Sequence, residues 1–300
     1  MNKIGRLLTA MVTPFDEAGD VDYEQAKKLA LALLDSGSEG LVVVGTTGES
    51  PTLVRKEEIR LFSEVKSVVG ERGVVVAGTG SNSTAEAVEA TKEAEKTGVD
   101  ACLLVVPYYN KPTQEGLYQH FKTIAGSTSL PCILYNVPSR TVTSLSTETV
   151  IKLSQIENIA GIKEASGNLE QVAAIINNCR EDFLVWSGND SDTLPILALG
   201  GYGVISVASH LVGRQISDII SSFINGNANG AAAIHRGLMP LINALFVVAN
   251  PIPVKYALNH IGFNVGKPRL PLTEPDEKTA ALIRDTLKKY KIDLVTADAA

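Results

Sequence analysis

Lys163 closes the apolar run Ile159-Ala160-Gly161-Ile162, between Asn158 and the segment Glu164-Ala165-Ser166-Gly167-Asn168. A short run of this kind reads as a strand of a parallel sheet covered on both faces. Burial disfavours the ammonium form, so an amine there moves from about 10.4 towards about 7–8. Partly neutral at cellular pH, it is a nucleophile able to form a Schiff base with a carbonyl compound. A strand-end lysine also has a plainer use, with its stem on apolar surface and its head snorkelling to water.

Other segments carry groups that could serve such a nucleophile. Gly45-Thr46-Thr47-Gly48-Glu49-Ser50 brackets two threonines with glycines. That pattern makes either an anion-binding nest of amides and hydroxyls or an ordinary turn ahead of a helix. Pro107-Tyr108-Tyr109-Asn110-Lys111-Pro112 places adjacent tyrosines in a loop, for packing on a partner surface or for proton transfer. In Tyr135-Asn136-Val137-Pro138-Ser139-Arg140 a phenol for acid–base work precedes a guanidinium suited to a carboxylate. Two segments imitate sites. Gly78-Thr79-Gly80-Ser81-Asn82-Ser83 lacks the third glycine of a dinucleotide fingerprint, and Asp100 precedes a strand where the ribose-binding acid should follow one. Asn189-Asp190-Ser191-Asp192 lacks the other ligands of a calcium loop and reads as solvated.

These residues need elements to position them. Apolar strand candidates fall at 7–9, 41–44, 74–78, 101–105, 132–135, 159–163, 183–186 and 203–207. Amphipathic stretches alternate with them at 23–36, 55–69, 84–97, 114–127, 147–155, 169–179, 193–199 and 212–224. Ser83 with Glu86 has capping-box spacing, and Ser146 precedes another helix start. Strand–helix units repeated in this way predict an α/β fold, a (β/α)8 TIM barrel, over residues 1–225. Helical patterns at 231–246, 254–261 and 275–290 predict a C-terminal helical appendage over 226–300, with Gly226-Asn227-Ala228-Asn229-Gly230 as the joint. In such a barrel the chemistry sits at the C-terminal ends of the strands, where Lys163 and the polar segments above all fall.

Composition limits the partners. The 300 residues are 45% hydrophobic and 20% charged, with net charge −6 and no basic block, so neither nucleic acid nor an anionic membrane is an expected partner. Cys102, Cys132 and Cys179 are too far apart for a metal motif, as are His120, His210, His235 and His260, and fit a reducing cytoplasm. Lys3 and Arg6 ahead of the apolar residues 7–12 faintly imitate a signal peptide. The stretch is too short and meets Pro14, Asp16 and Glu17, so a cytoplasmic protein is expected.

Taken together, Gly45-Thr46-Thr47-Gly48-Glu49-Ser50, Pro107-Tyr108-Tyr109-Asn110, Tyr135 to Arg140, Gly161-Ile162-Lys163-Glu164 and Asn250-Pro251-Ile252-Pro253-Val254-Lys255 occur in order. Over nearly its whole length the chain resembles the pyruvate-dependent class I aldolase family that includes N-acetylneuraminate lyase. Thr47, the Tyr108-Tyr109 pair and Arg140 make it most similar to the dihydrodipicolinate synthase branch.

The resemblance implies a lyase that condenses pyruvate with L-aspartate 4-semialdehyde to 4-hydroxy-tetrahydrodipicolinate, in lysine and diaminopimelate biosynthesis, without metal or cofactor. Lys163 would be the Schiff-base nucleophile. Tyr135, Thr46 and Tyr109 would form a proton relay, the last entering from a neighbouring subunit of a homotetramer. Thr47, Gly188 and the backbone at Ile205 would bind pyruvate, and Arg140 the semialdehyde carboxylate. Ser50, Asn82, Glu86 and Tyr108 match a lysine-binding allosteric site. Arg55 and Glu58 replace histidines of the sensitive pattern, so weak or absent lysine inhibition is expected. Two alternatives stand beside this reading: cleavage of a 2-keto-3-deoxy sugar acid or N-acetylneuraminate, and a non-catalytic barrel that binds a 2-oxo acid.

Overall fold

Strands β1 (Leu7–Ala10), β2 (Gly40–Val43), β3 (Val74–Gly78), β4 (Ala101–Val105), β5 (Cys132–Asn136), β6 (Ile159–Glu164), β7 (Leu184–Ser187) and β8 (Gly203–Ser206) are built from near-continuous buried apolar runs. Neighbours pair in parallel in chain order, and β8 pairs back to β1, so the sheet closes into the expected barrel. The computed structural model describes residues 4–295. Lys3 and the outermost ends of the ranges 1–225 and 226–300 lie outside the described residues.

The helices α1 (Tyr23–Asp35), α2 (Arg55–Val69), α3 (Thr84–Glu95), α4 (Gln114–Ala125), α5 (Pro138–Thr141), α6 (Thr147–Ser154), α7 (Leu169–Asn178), α8 (Thr193–Ala198) and α9 (Ser209–Ile224) follow the strands. Their stripes bury one face, as Leu61, Phe62, Val65 and Val69 do on α2. Ser83 and Ser146 cap as their spacing suggests, each accepting from the amide three residues on. Glu86 does not complete a capping box, because its carboxylate accepts from Ser81 Oγ. Two details depart from the sequence expectation. The helix after β8 begins at Ser209 and carries a non-helical residue at Val212 (φ −130°), where the amphipathic pattern alone resumes. Helix α5 is a single turn after β5, too short to show a period.

Helices α10 (Ala228–Leu245), α11 (Ile252–His260) and α12 (Glu277–Leu287) make up the tail. The joint is narrower than the glycine–asparagine stretch suggests. Gly226 takes a positive φ of 84°, and Asn227 then caps α10 by accepting from Gly230 N, so the helix has already begun. Leu241, Leu245, Val254, Leu258, Val265 and Ile283 are buried in the same apolar cluster as residues of β1, β2 and β8. The tail therefore shares the barrel's core, and the segment after α10 reaches the loop that follows β2.

Candidate active site

Register brings the central pair together. Tyr135 on β5 and Lys163 on β6 are direct partners, and Lys163 is paired on its other side with Trp186 of β7. Side chains alternate across the pleat, so Lys163 and its chain neighbour Glu164 face opposite ways. The Glu164 carboxylate is spent elsewhere, accepting from Asn136 Nδ2 (3.0 and 3.2 Å) and Ser166 N (2.7 Å). Lys163 is 5% exposed, and its Nζ sits 4.3 Å from the centroid of the Tyr135 ring. Among the described residues its side-chain amine forms no ion pair and no hydrogen bond.

Burial pushes the Lys163 amine down to about 8; the Asp190 charge opposes that shift and Arg140 adds to it. Burial also raises the Tyr135 phenol to about 12, against the charge of Arg140 and a hydrogen bond with Thr46. One group is thus prepared to lose its proton and the adjacent one to keep it.

The loop after β2 folds back on itself, with Gly48 N and Ser50 N donating to Gly45 O and Glu49 N to Thr46 O. Thr46 thereby meets Tyr135, and Thr47 accepts from Asn250 Nδ2 at 2.9 Å. Asn250 main-chain oxygen accepts from Arg140 Nη2 at 3.3 Å, so the tail bridges Thr47 and Arg140. Gly188 follows β7, and there only glycine fits: a Cβ would stand 2.6 Å from Ala165 Cβ and 3.2 Å from Lys163 Cε. Ile205 lies buried on β8, one residue before Ser206.

The expectation of a solvated loop at residues 189–192 fails at Asp190, which is buried. Its carboxylate accepts from Ser206 Oγ, Val207 N (3.0 Å) and Ala208 N (3.1 Å). These partners come from β8 and the residues after it, so a local reading of an Asn-Asp-Ser-Asp string had no sight of them. Among the described residues there is no group of three or more His, Cys, Asp or Glu side chains able to hold a metal ion. Asn250 and Asp190 are the neighbours of the site that sequence reasoning missed. A polar residue directly before the Pro251-Ile252-Pro253 run was the available signal for the first.

Tyr109 is not brought to Tyr135 within one chain. It is 89% exposed and holds a positive φ of 75° in a loop where Lys111 is also left-handed (φ 47°). Ser50, Glu86 and Tyr108 line a separate cavity of about 140 Å³ with Arg55 and Glu58, and Asn82 Nδ2 donates to Tyr108 O. Arg55 is already paired there, to Glu58 at 2.6 Å and Glu93 at 3.6 Å.

A barrel that presents a buried, unpaired, partly neutral amine beside a hydrogen-bonded phenol defines an enzyme class: lysine-nucleophile aldolase-type barrels. The profile of the Dihydrodipicolinate synthetase family matches residues 3–290. A 4-hydroxy-tetrahydrodipicolinate synthase of Dehalococcoides mccartyi is 72% identical over 294 residues, 98% of this chain and 99% of that one. The crystal structure of a dihydrodipicolinate synthase from Bacillus anthracis superposes with TM-score 0.95 at 46% identity, covering 97% of this chain and 100% of that chain. A Cyanidioschyzon merolae homologue, solved with lysine bound, gives 0.94 at 49% identity over 95% of this chain and 98% of its own. The chain belongs to the dihydrodipicolinate synthetase family.

Proposed function

We propose that the chain condenses pyruvate with L-aspartate 4-semialdehyde to 4-hydroxy-tetrahydrodipicolinate, a lyase step of lysine and diaminopimelate biosynthesis. The neutral Lys163 amine adds to C2 of pyruvate and water leaves, giving an iminium whose nitrogen draws electrons from the neighbouring methyl. Tyr135, hydrogen-bonded to Thr46, passes that methyl proton outward and leaves an enamine. The enamine carbon attacks the semialdehyde's aldehyde carbon, and the oxygen takes up a proton. The substrate's own amine then adds to C2 and displaces Lys163 as the ring closes. Thr47, Gly188 and Ile205 bind pyruvate, and Arg140 offers a two-point fork to the semialdehyde carboxylate. The iminium supplies the electron sink, so the sequence of steps calls for no metal.

One observation carries this reading: a buried lysine with no carboxylate on its ammonium, held against a phenol. With its amine near 8 instead of the ordinary 10.5, about a tenth of Lys163 is neutral at pH 7, roughly three hundred times the fraction of a free lysine. The test is to incubate with pyruvate, reduce with borohydride, and weigh the peptide containing Lys163. Turnover is then compared between aspartate semialdehyde and N-acetylneuraminate. The adduct with turnover on the semialdehyde is expected. An adduct with turnover only on the sugar acid selects the lyase, and no adduct leaves only a 2-oxo acid-binding barrel.

In this reading residues 1–225 form the catalytic barrel and 226–300 the helical appendage of a cytoplasmic homotetramer. The exposed, conformationally strained Tyr109 completes the relay of a second copy. Mixed subunits carrying Tyr109→Phe on one chain and Lys163→Ala on the other should then regain activity that neither variant has alone. A fully active monomer would refute the sharing. The cavity lined by Ser50, Glu86 and Tyr108, with Asn82 bonded to Tyr108 beside it, is the regulatory position, and the pairing of Arg55 with Glu58 and Glu93 uses up charges that lysine would need. Weak or absent inhibition by micromolar lysine in initial-rate assays is expected, and strong inhibition overturns it.

A further inference from the structure

The loop that carries Thr46 and Thr47 is held from outside the barrel. Glu49 ends it in the left-handed region (φ 58°, ψ 36°), a conformation that a residue with a side chain adopts only under strain. Its carboxylate is buried and both oxygens are taken by the tail. Oε1 accepts from Lys255 Nζ at 2.8 Å, and Oε2 accepts from Arg269 N at 2.9 Å. Lys255, on α11, gives its other hydrogens to Thr13 O (3.0 Å) and Lys267 O (3.2 Å) and lies 4.2 Å from the Phe15 ring centroid. Three donors therefore meet three acceptors, with none left over.

From Glu49 the connection to the chemistry is short. Glu49 N donates to Thr46 O, and Thr13, whose carbonyl Lys255 holds, donates its hydroxyl to Gly48 O at 2.6 Å. The same tail segment reaches Thr47 through Asn250. Thr46 in turn is the hydroxyl bonded to Tyr135. Among the described residues Glu49 and Lys255 form no hydrogen bond or ion pair with Lys163, so the clamp acts on proton handling and not on the nucleophile.

We infer that the buried Glu49–Lys255 pair is a positioning device of the reaction, fixing the Thr46 hydroxyl against Tyr135 so that the enamine-forming proton transfer proceeds. The inference rests on the Schiff-base reading above. It predicts a division of labour: imine formation depends on Lys163 in the barrel wall, and methyl deprotonation depends also on the tail.

The half-reaction with pyruvate alone separates the two. Borohydride trapping reads the imine, and exchange of the pyruvate methyl protons in heavy water, followed by proton NMR, reads the enamine. Glu49→Gln keeps the shape of the side chain but leaves the Lys255 ammonium without its carboxylate, whereas the double variant Glu49→Gln with Lys255→Met removes both charges together and leaves no buried ion unpaired. Both should trap pyruvate on Lys163 at close to the wild-type rate and lose methyl exchange by about ten- to a hundredfold, the scale set by ångström-size misplacement of a catalytic group. Lys255→Arg, which keeps a cation opposite Glu49, should recover part of the exchange. Folded variants that exchange at the wild-type rate overturn the inference, as do variants that lose trapping and exchange in proportion. A wild-type protein that neither traps nor exchanges overturns the Schiff-base reading itself, which is a different result.

Discussion

Lys163 and Lys255 are both buried in this molecule, both lie just over 4 Å from an aromatic ring centroid, and burial lowers the pKa of both. They differ in what surrounds the ammonium. Lys255 meets a carboxylate and two carbonyls that match its hydrogens one for one. Lys163 meets a ring face, with Asp190 and Arg140 pulling its charge in opposite directions from further off. A paired buried lysine is a structural tie, since neutralising it would strand the partner carboxylate. An unpaired one is a reagent, because losing its proton relieves the penalty of burial. The protein uses one residue type for both tasks and separates them by the neighbours alone.

Exchanging each lysine for methionine breaks the comparison most sharply. Lys163→Met should abolish pyruvate trapping and lower turnover by about 10⁴-fold or more, as loss of a covalent nucleophile does. Its stability should move the other way. The native amine sits near 8 and the unfolded one near 10.5, so the native state binds fewer protons between those values and stability rises with pH across that window. Below pH 8 the full penalty is present, of order 3 kcal/mol, and methionine removes it. A higher melting temperature at neutral pH is the expected sign, and a clear fall would mean that Lys163 has a partner in solution.

The phenol beside it comes next in size. Tyr135→Phe keeps the ring under Lys163 and removes the proton carrier, so kcat should drop by about 10²–10⁴-fold while the borohydride adduct still forms. Lys255→Met alone inverts the pattern of Lys163→Met. It leaves Glu49 buried without its cation and should cost about 3–5 kcal/mol in denaturant unfolding. Two lysine variants with similar stability losses would erase the distinction between tie and reagent.

Much of this was legible in the chain, for a definite reason. Parallel strands covered on both faces are plain apolar runs, so the eight barrel strands and their edge could be read directly, and Lys163 stood out as a charge where the pattern required none. Lys255 presents the same anomaly in an apolar helix but was noted only as part of a motif. Its role depends on Glu49, more than 200 residues away in the chain, and no local pattern reports that distance. Asp190 was hidden for the same reason, its acceptor role being set by amides beyond β8. Helix α5 and the kink at Val212 were missed because a single turn and a broken one carry too few residues to display a period.

Asp190 offers the smallest and most discriminating change, since it acts on Lys163 by charge without touching it. Its carboxylate raises the Lys163 pKa against the pull of burial. Asp190→Asn can keep the local bonds, with the amide oxygen on Val207 N and Ala208 N and the amide nitrogen on Ser206 Oγ. What it removes is the negative charge that favours the ammonium. The rate of imine formation should rise with pH through a limb near 8 in the wild type, because the neutral amine is the attacking form. In the variant that limb should shift to lower pH, so trapping of pyruvate is faster than wild type on the acid side and equal above the limb. Lys255 predicts the contrast: its carboxylate sits at 2.8 Å, and there removal of the charge disturbs the fold before it alters any rate. An unmoved limb with intact folding would mean that the field of Asp190 stops short of the amine, and that burial and Arg140 alone set the reactivity of Lys163.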